Sequence, residues 1–354
     1  MCYPPPVLRT TDYRHETTIQ SRIAWIDYAK SMGIIGVMLC HSSSKVFQSV
    51  VFVDEIIKLF FLSLFFVCSG YVSVKLINRT EITGKIIGWK DFELLIPFFS
   101  IGFLYCSLPE LSRGTFSIIN TMDRLLLDPD NFGYWFFLCL FLFRLSVIAS
   151  QYVICLFDKS AKNVNEETKF WVVIILSTPV ACGFSYVFGN IYHFVFYYIF
   201  YILGFVMKRY NCVEWAMVHR VVAFIITLSA ILLFIGIHLI ESDFRCIILV
   251  RSFLYEFPLK VLVTLSVLWI CVNMQGEYRW LLNIGQKSLD IYCLHGFLYV
   301  GVTTFIQKDA ITNYPWALQF VMIAVVAFGL VVGSLLLSYI IRKIPYLPLI
   351  TFGR

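Results

Sequence analysis

A lysine and a histidine stand eleven residues apart, Lys30 and His41, in the apolar segment SRIAWIDYAKSMGIIGVMLCHSS over residues 21–43. At ~100° per residue, eleven helical steps return a side chain to within about 20° of its starting direction and climb roughly 16 Å. Asp27 precedes Lys30 by three positions and lies about 40° off the direction of His41. Ionisable groups are costly in hydrocarbon, so such a stripe needs a partner or a water-filled cavity. Imidazole titrates near neutrality and suits general-base work on a hydroxyl, while the ammonium of Lys30 suits a phosphate. A blander use of the same residues is an Asp27–Lys30 ion pair at the interface, with His41 closing the helix before Ser42-Ser43-Ser44.

A second imidazole lies far along the chain, in Gly285-Gln-Lys-Ser-Leu-Asp-Ile-Tyr-Cys-Leu-His295-Gly296. Entered from its N-terminal end, that segment carries His295 about 13 Å deep. His41 and His295 are therefore expected to face one cavity, offset in depth by ~10 Å and able to flank a thin ligand. The run Phe65-Phe-Val-Cys-Ser69-Gly70-Tyr71 supplies two small residues for close approach of a helix or ligand. No G-x-S-x-G elbow surrounds Ser69, so it is not read as a nucleophile. Arg144, in FLCLFLFRLSVIA, is mid-segment and calls for an anion in a cavity. His193 and His238 fall near segment ends and read as interfacial residues. The eleven cysteines contain no C-x-x-C pair and read as packing residues, with no metal site expected.

The elements that must position these groups follow from composition. Hydrophobic residues make up 59% of the 354 residues and charged ones 14%, with a mean hydropathy of +0.80. A soluble domain carries about a quarter charged residues. The fold expected is all-α: a polytopic membrane bundle of about ten spans, with both termini cytoplasmic. The spans are placed at 24–42, 56–77, 92–109, 134–156, 170–188, 191–207, 220–240, 257–274, 286–306 and 316–341, the fifth and sixth joined by Gly189-Asn190. Residues 244–254 carry Arg245 and Arg251 and read as an interfacial helix. Residues 109–133 read as the longest outer loop. In this topology about eighteen Lys and Arg fall on the inner side and about eight on the outer. The organisation expected is a polar cytoplasmic tail over 1–21, without a secretory signal, a transmembrane domain over 22–343, and a short tail over 344–354. The net charge of +6 then reflects orientation and contact with anionic lipid, not nucleic acid.

Taken in order, these segments resemble the acyltransferase-3 family, integral-membrane acyltransferases that include bacterial surface-sugar O-acetylases. The family's opening D-x-x-R/K, ten residues, His is matched by Asp27, Lys30 and His41, and its F-F-x-x-S-G segment by Phe65 to Tyr71. A basic cluster leading to proline is matched by Lys85 and Lys90 before Pro97, W-F-x-x-x-L by Trp135 to Leu140, and the Tyr-rich span by Tyr197 to Gly204. The motif G-x-x-S-L-x-I-Y-x-x-H is matched by Gly285 to His295. Lys30 stands where many members have Arg, which replaces a bidentate fork by a point charge, and Glu93 stands where a second basic residue is common.

The resemblance implies transfer of an acyl group, acetyl foremost, from cytosolic acyl-CoA to a hydroxyl of a lipid-linked or nascent envelope carbohydrate, at the inner (plasma) membrane. Its catalytic candidates are His41, Asp27 and His295. Those for acyl-CoA are Lys30, Lys85, Lys90 and Arg144, and those lining the cavity are Ser69, Gly70, Trp135 and Tyr292. Acyl-CoA is a co-substrate, and no tightly bound cofactor is expected. Competing readings are a different donor such as succinyl-CoA, or a secondary transporter exporting a glycan precursor; the latter commonly shows two related halves, which this chain lacks.

Overall fold

The structure, a computed structural model, describes residues 23–47, 52–74, 92–127, 134–158, 165–187, 191–240, 256–274, 278–306, 311 and 313–353. Among the described residues every regular element is helical. In chain order these are α1 (Ala24–His41), continued by a π-helical turn (Ser42–Phe47), α2 (Phe52–Lys58), α3 (Phe61–Ser73), α4 (Leu95–Arg113), α5 (Ile118–Leu127), α6 (Trp135–Asp158), α7 (Glu166–Val187) and α8 (Ile191–Arg209). There follow α9 (Cys212–Val218), α10 (Arg220–Ile240), α11 (Phe257–Asn273), α12 (Arg279–Gln286), α13 (Ser288–Phe305), α14 (Trp316–Ile341) and α15 (Leu347–Phe352).

The described parts of the apolar segments picked from the sequence are largely helical. Among the described residues five helical stretches are long and apolar enough to cross a bilayer: Asp54–Ser73, Leu95–Arg113, Trp135–Ile154, Glu166–Phe184 and Trp316–Ile341. A sixth arises if α9 and α10, bent by 97° at their junction, form one span. Lys85, Lys90, the 1–21 tail, the Gly189-Asn190 connection and the 244–254 stretch lie outside the described residues.

The region expected as a long outer loop is partly helical. α4 continues through Pro109 to Arg113, and α5 follows almost at once. The cause is Glu110, whose carboxylate pairs with Arg124 at 3.1 Å and accepts hydrogen bonds from the Ser117 N–H at 3.0 Å and Thr121 Oγ1 at 3.3 Å. It thus satisfies an orphan donor at the start of α5 and ties the two helices together.

α1 lies at the middle of the bundle, packed by α3, α11, α12, α13 and α14. Enclosure by protein rather than lipid is what tolerates its polar residues. Two contacts are made by backbone against backbone. A Cβ on Gly285 would collide with the Asp27 carbonyl, which sets α12 against α1. Gly70 and Gly204 face one another across α3 and α8, each against the other helix's main chain. Small residues let helices approach this closely, where dispersion replaces the absent hydrophobic drive. Between α3, α6 and α8 an aromatic core fills the space: Phe66 stacks on Tyr197 at 4.9 Å and meets Phe136 edge-on at 5.0 Å.

At the N-terminal end of α13, Asp290 is fully buried and accepts from Arg342 Nη2 at 2.6 Å and Ser338 Oγ at 2.7 Å. Arg342 also lies over the Phe352 ring, 5.2 Å from its centroid, which couples α15 to the pair. Arg342→Ala removes the guanidinium paired with a buried carboxylate, so a loss of about 3 kcal/mol is expected. A melting curve of the detergent-solubilised variant checks this; an unchanged midpoint refutes it.

Candidate active site

The last turn of α1 and the second and third turns of α13 meet in the bundle. The His41 and His295 rings stack with centroids 5.1 Å apart and planes inclined by 20°. The offset of ~10 Å expected from helix counting is absent. That count treated residues 286–306 as one straight helix, whereas the chain breaks at Lys287 between α12 and α13. The break, with Gly285 seated on Asp27, fixes the height at which α13 starts, and its imidazole meets that of α1 directly.

His295 is buried and His41 half-buried. His295 Nδ1 lies 2.7 Å from the Tyr292 carbonyl oxygen. A carbonyl only accepts, so Nδ1 carries the proton, and in the neutral ring Nε2 keeps its lone pair. The second imidazole of the pair thus has a defined tautomer, set by its own helix.

Tyrosines surround the pair. Tyr299 stacks on His41 at 5.9 Å, and its hydroxyl is hydrogen-bonded to that of Tyr105 from α4. Tyr292 packs beside His295 at 5.5 Å. Tyr134, just before α6, donates to the Cys293 carbonyl at 3.0 Å. Gly296 makes room for this: a Cβ there would lie 3.0 Å from the Tyr134 hydroxyl and 3.2 Å from the Tyr105 ring. Tyr105, Tyr134 and Tyr299 were not among the sequence candidates. In a chain with twenty tyrosines nothing singles them out; the one available signal is that Tyr299 follows His295 by four residues, one helical turn.

Other expected site residues fall elsewhere. Asp27 is buried near the opposite end of α1, and fourteen residues along a helix is ~21 Å, so it is not part of the imidazole centre. Among the described residues Asp27 and Lys30 do not form an ion pair; Lys30 is half-buried and close enough to Cys68 of α3 to act on it electrostatically. Gly70 faces the neighbouring helix, with the Tyr201 carbonyl and Gly204 against its open side. Trp135 packs in the aromatic core, 5.6 Å from Tyr197 and 6.4 Å from Phe66, and Ser69 is half-buried on α3. Arg144 is half-buried ten residues from Tyr134, about 15 Å along α6 from the tyrosine end of that helix. Of the four cavity candidates, Tyr292 lies against His295.

An all-α assembly with several helices suited to a bilayer and two imidazoles stacked in its interior defines a membrane-embedded enzyme class. The acyltransferase-3 family model, described as an acyltransferase domain, matches residues 23–342. The chain belongs to that family and is a multi-pass membrane acyltransferase. The matched region opens at the residue before α1 and closes on Arg342, the partner of Asp290. No curated protein and no solved structure matched the chain.

Proposed function

We propose that the protein transfers an acyl group, acetyl foremost, from cytosolic acyl-CoA to a hydroxyl of a cell-envelope carbohydrate. The observation that carries this reading is the stacked His41–His295 pair within the acyltransferase-3 chain. His41, the more open of the two, takes the proton of the acceptor hydroxyl as its oxygen attacks the thioester carbonyl. His295 lies against it with Nδ1–H tied to the backbone, so the reacting ring rests on a fixed surface. Two cationic rings this close repel, so the pair takes up one proton per transfer and returns it to the departing thiolate.

The donor's anionic nucleotide end is assigned to the end of α1 that carries Lys30, roughly 16 Å from His41, a distance the thin pantetheine arm spans. Lys30→Ala is expected to raise the KM for acetyl-CoA about tenfold, the cost of one charge-assisted contact. Lys30→Arg keeps the charge and stays within about threefold of wild type. Initial rates across an acetyl-CoA series in membranes separate the two, and an unchanged KM in Lys30→Ala removes the phosphate role. The reading as a whole is tested by mass spectrometry of envelope glycans from cells with and without the protein. Glycans that carry identical acyl groups in both would refute it.

A further inference from the structure

We infer that the Tyr105–Tyr299 hydroxyl pair is the hydrogen-bond donor that receives the acyl carbonyl oxygen at the imidazole centre. The inference rests on the acyl-transfer reading above and adds groups to it that neither the family match nor the sequence motifs assign. It begins with a count of protons. Each phenol has one O–H and can also accept. The two hydroxyls bond to each other, which consumes one O–H and leaves the other without an acceptor; among the described residues neither hydroxyl makes another hydrogen bond. Tyr134, the third phenol of the cluster, is already committed to the Cys293 carbonyl. One donor is therefore spare, and it belongs to this pair.

The spare donor is also accessible and rigid. Tyr105, Tyr299 and His41 are half-buried, whereas Tyr134, Tyr292 and His295 behind them are buried. The open side of the cluster thus presents a base and a donor together. The Tyr299 ring stacks on His41 at 5.9 Å. The Tyr105 ring is wedged between Tyr134 at 5.5 Å and Phe297 at 5.6 Å. Fixed donors aimed at developing charge, in a site poor in water, supply much of the stabilisation in acyl transfer.

The step balances as follows. The acceptor oxygen bonds to the thioester carbon as its proton passes to His41, and the carbonyl π-pair moves onto oxygen, where the tyrosine O–H meets it. The oxyanion collapses, the C–S bond breaks, and the thiolate takes the proton back from His41. The products are the ester and free CoA thiol, with the tyrosines unchanged.

The test is the full-length Tyr105→Phe/Tyr299→Phe protein in native membranes, which carry the acceptor, supplied with radiolabelled acetyl-CoA. Both rings remain, so the stacking on His41 and the packing against Phe297 survive, and a size-exclusion profile in detergent checks this. The expected result is a kcat lowered about 10²-fold, with the KM for acetyl-CoA within about twofold. If the double variant does not accumulate, Tyr299→Phe alone is read against an expected loss of about tenfold. A kcat within threefold of wild type overturns the inference, as does a raised KM at unchanged kcat, which would make the pair a ground-state contact. Absence of any transfer by wild type is a different failure: it refutes the acyl-transfer reading and the inference with it.

Discussion

His41→Ala should lower acyl transfer by about 10²–10⁴-fold, the range a positioned general base contributes, while the protein still accumulates in the membrane. Accumulation is expected because His41 is the half-buried member of the pair and sits in the last turn of α1. His295 calls for a different substitution. Alanine there removes the donor to the Tyr292 carbonyl and opens a void, which mixes stability with chemistry. His295→Asn keeps an N–H near the Nδ1 position and deletes Nε2 with its lone pair. Its expected result is normal accumulation with transfer lowered at least tenfold. Labelled acetyl transfer per unit of immunodetected protein measures both variants. Transfer above one tenth of wild type in either would remove that imidazole from the chemistry.

Gly204→Leu is expected to abolish folded protein, costing more than about 3 kcal/mol. The opposing surface is the Val67 carbonyl and the Tyr71 amide of α3, which cannot rotate aside as a side chain can. Relief requires α3 and α8 to separate, which also undoes the Phe66–Tyr197 stack. Gly285→Leu should fail likewise against the Asp27 carbonyl. Gly183→Ala and Gly329→Ala are the controls: each sits in a long helix with nothing within 4 Å of the new Cβ, so unchanged or slightly raised stability is expected. Fluorescence-detected size exclusion across a temperature series reads all four. Survival of Gly204→Leu with a normal midpoint would show that the helices are not held by this contact.

Helix placement was legible because apolar runs of bilayer length are interrupted by few charges, and the described parts of those runs are largely helical. The meeting of His41 and His295 was legible for a related reason: two titratable rings in apolar segments must find company in the interior. Their stacking was not, because the height of one helix against another is set by the backbone contact at Gly285 and the break at Lys287, which no periodicity reports. Gly70 shows the limit of residue type as a guide. A small residue admits either a ligand or a neighbouring helix, and only the position of α8 decides for the helix. Glu110 and Arg124 form their pair across a fourteen-residue separation in a region that reads as irregular, since a turn rather than a periodic pattern joins their helices. The tyrosines around the imidazoles were illegible because their number hides those that touch.

The contacts at the two ends of α1 have a bearing on which sequence changes the family member can accept. Gly285 grips the helix at Asp27, and His295 meets it fourteen residues later at His41. Side chains between these points can be exchanged one at a time, but their number cannot change. Deleting a single residue between Met32 and Leu39 would turn everything beyond it by ~100° and draw it back 1.5 Å, carrying His41 off its partner while Asp27 stays gripped. Insertions and deletions in this stretch should therefore be excluded even where nearly any apolar substitution is accepted, so that α1 is constrained in length more strictly than in composition.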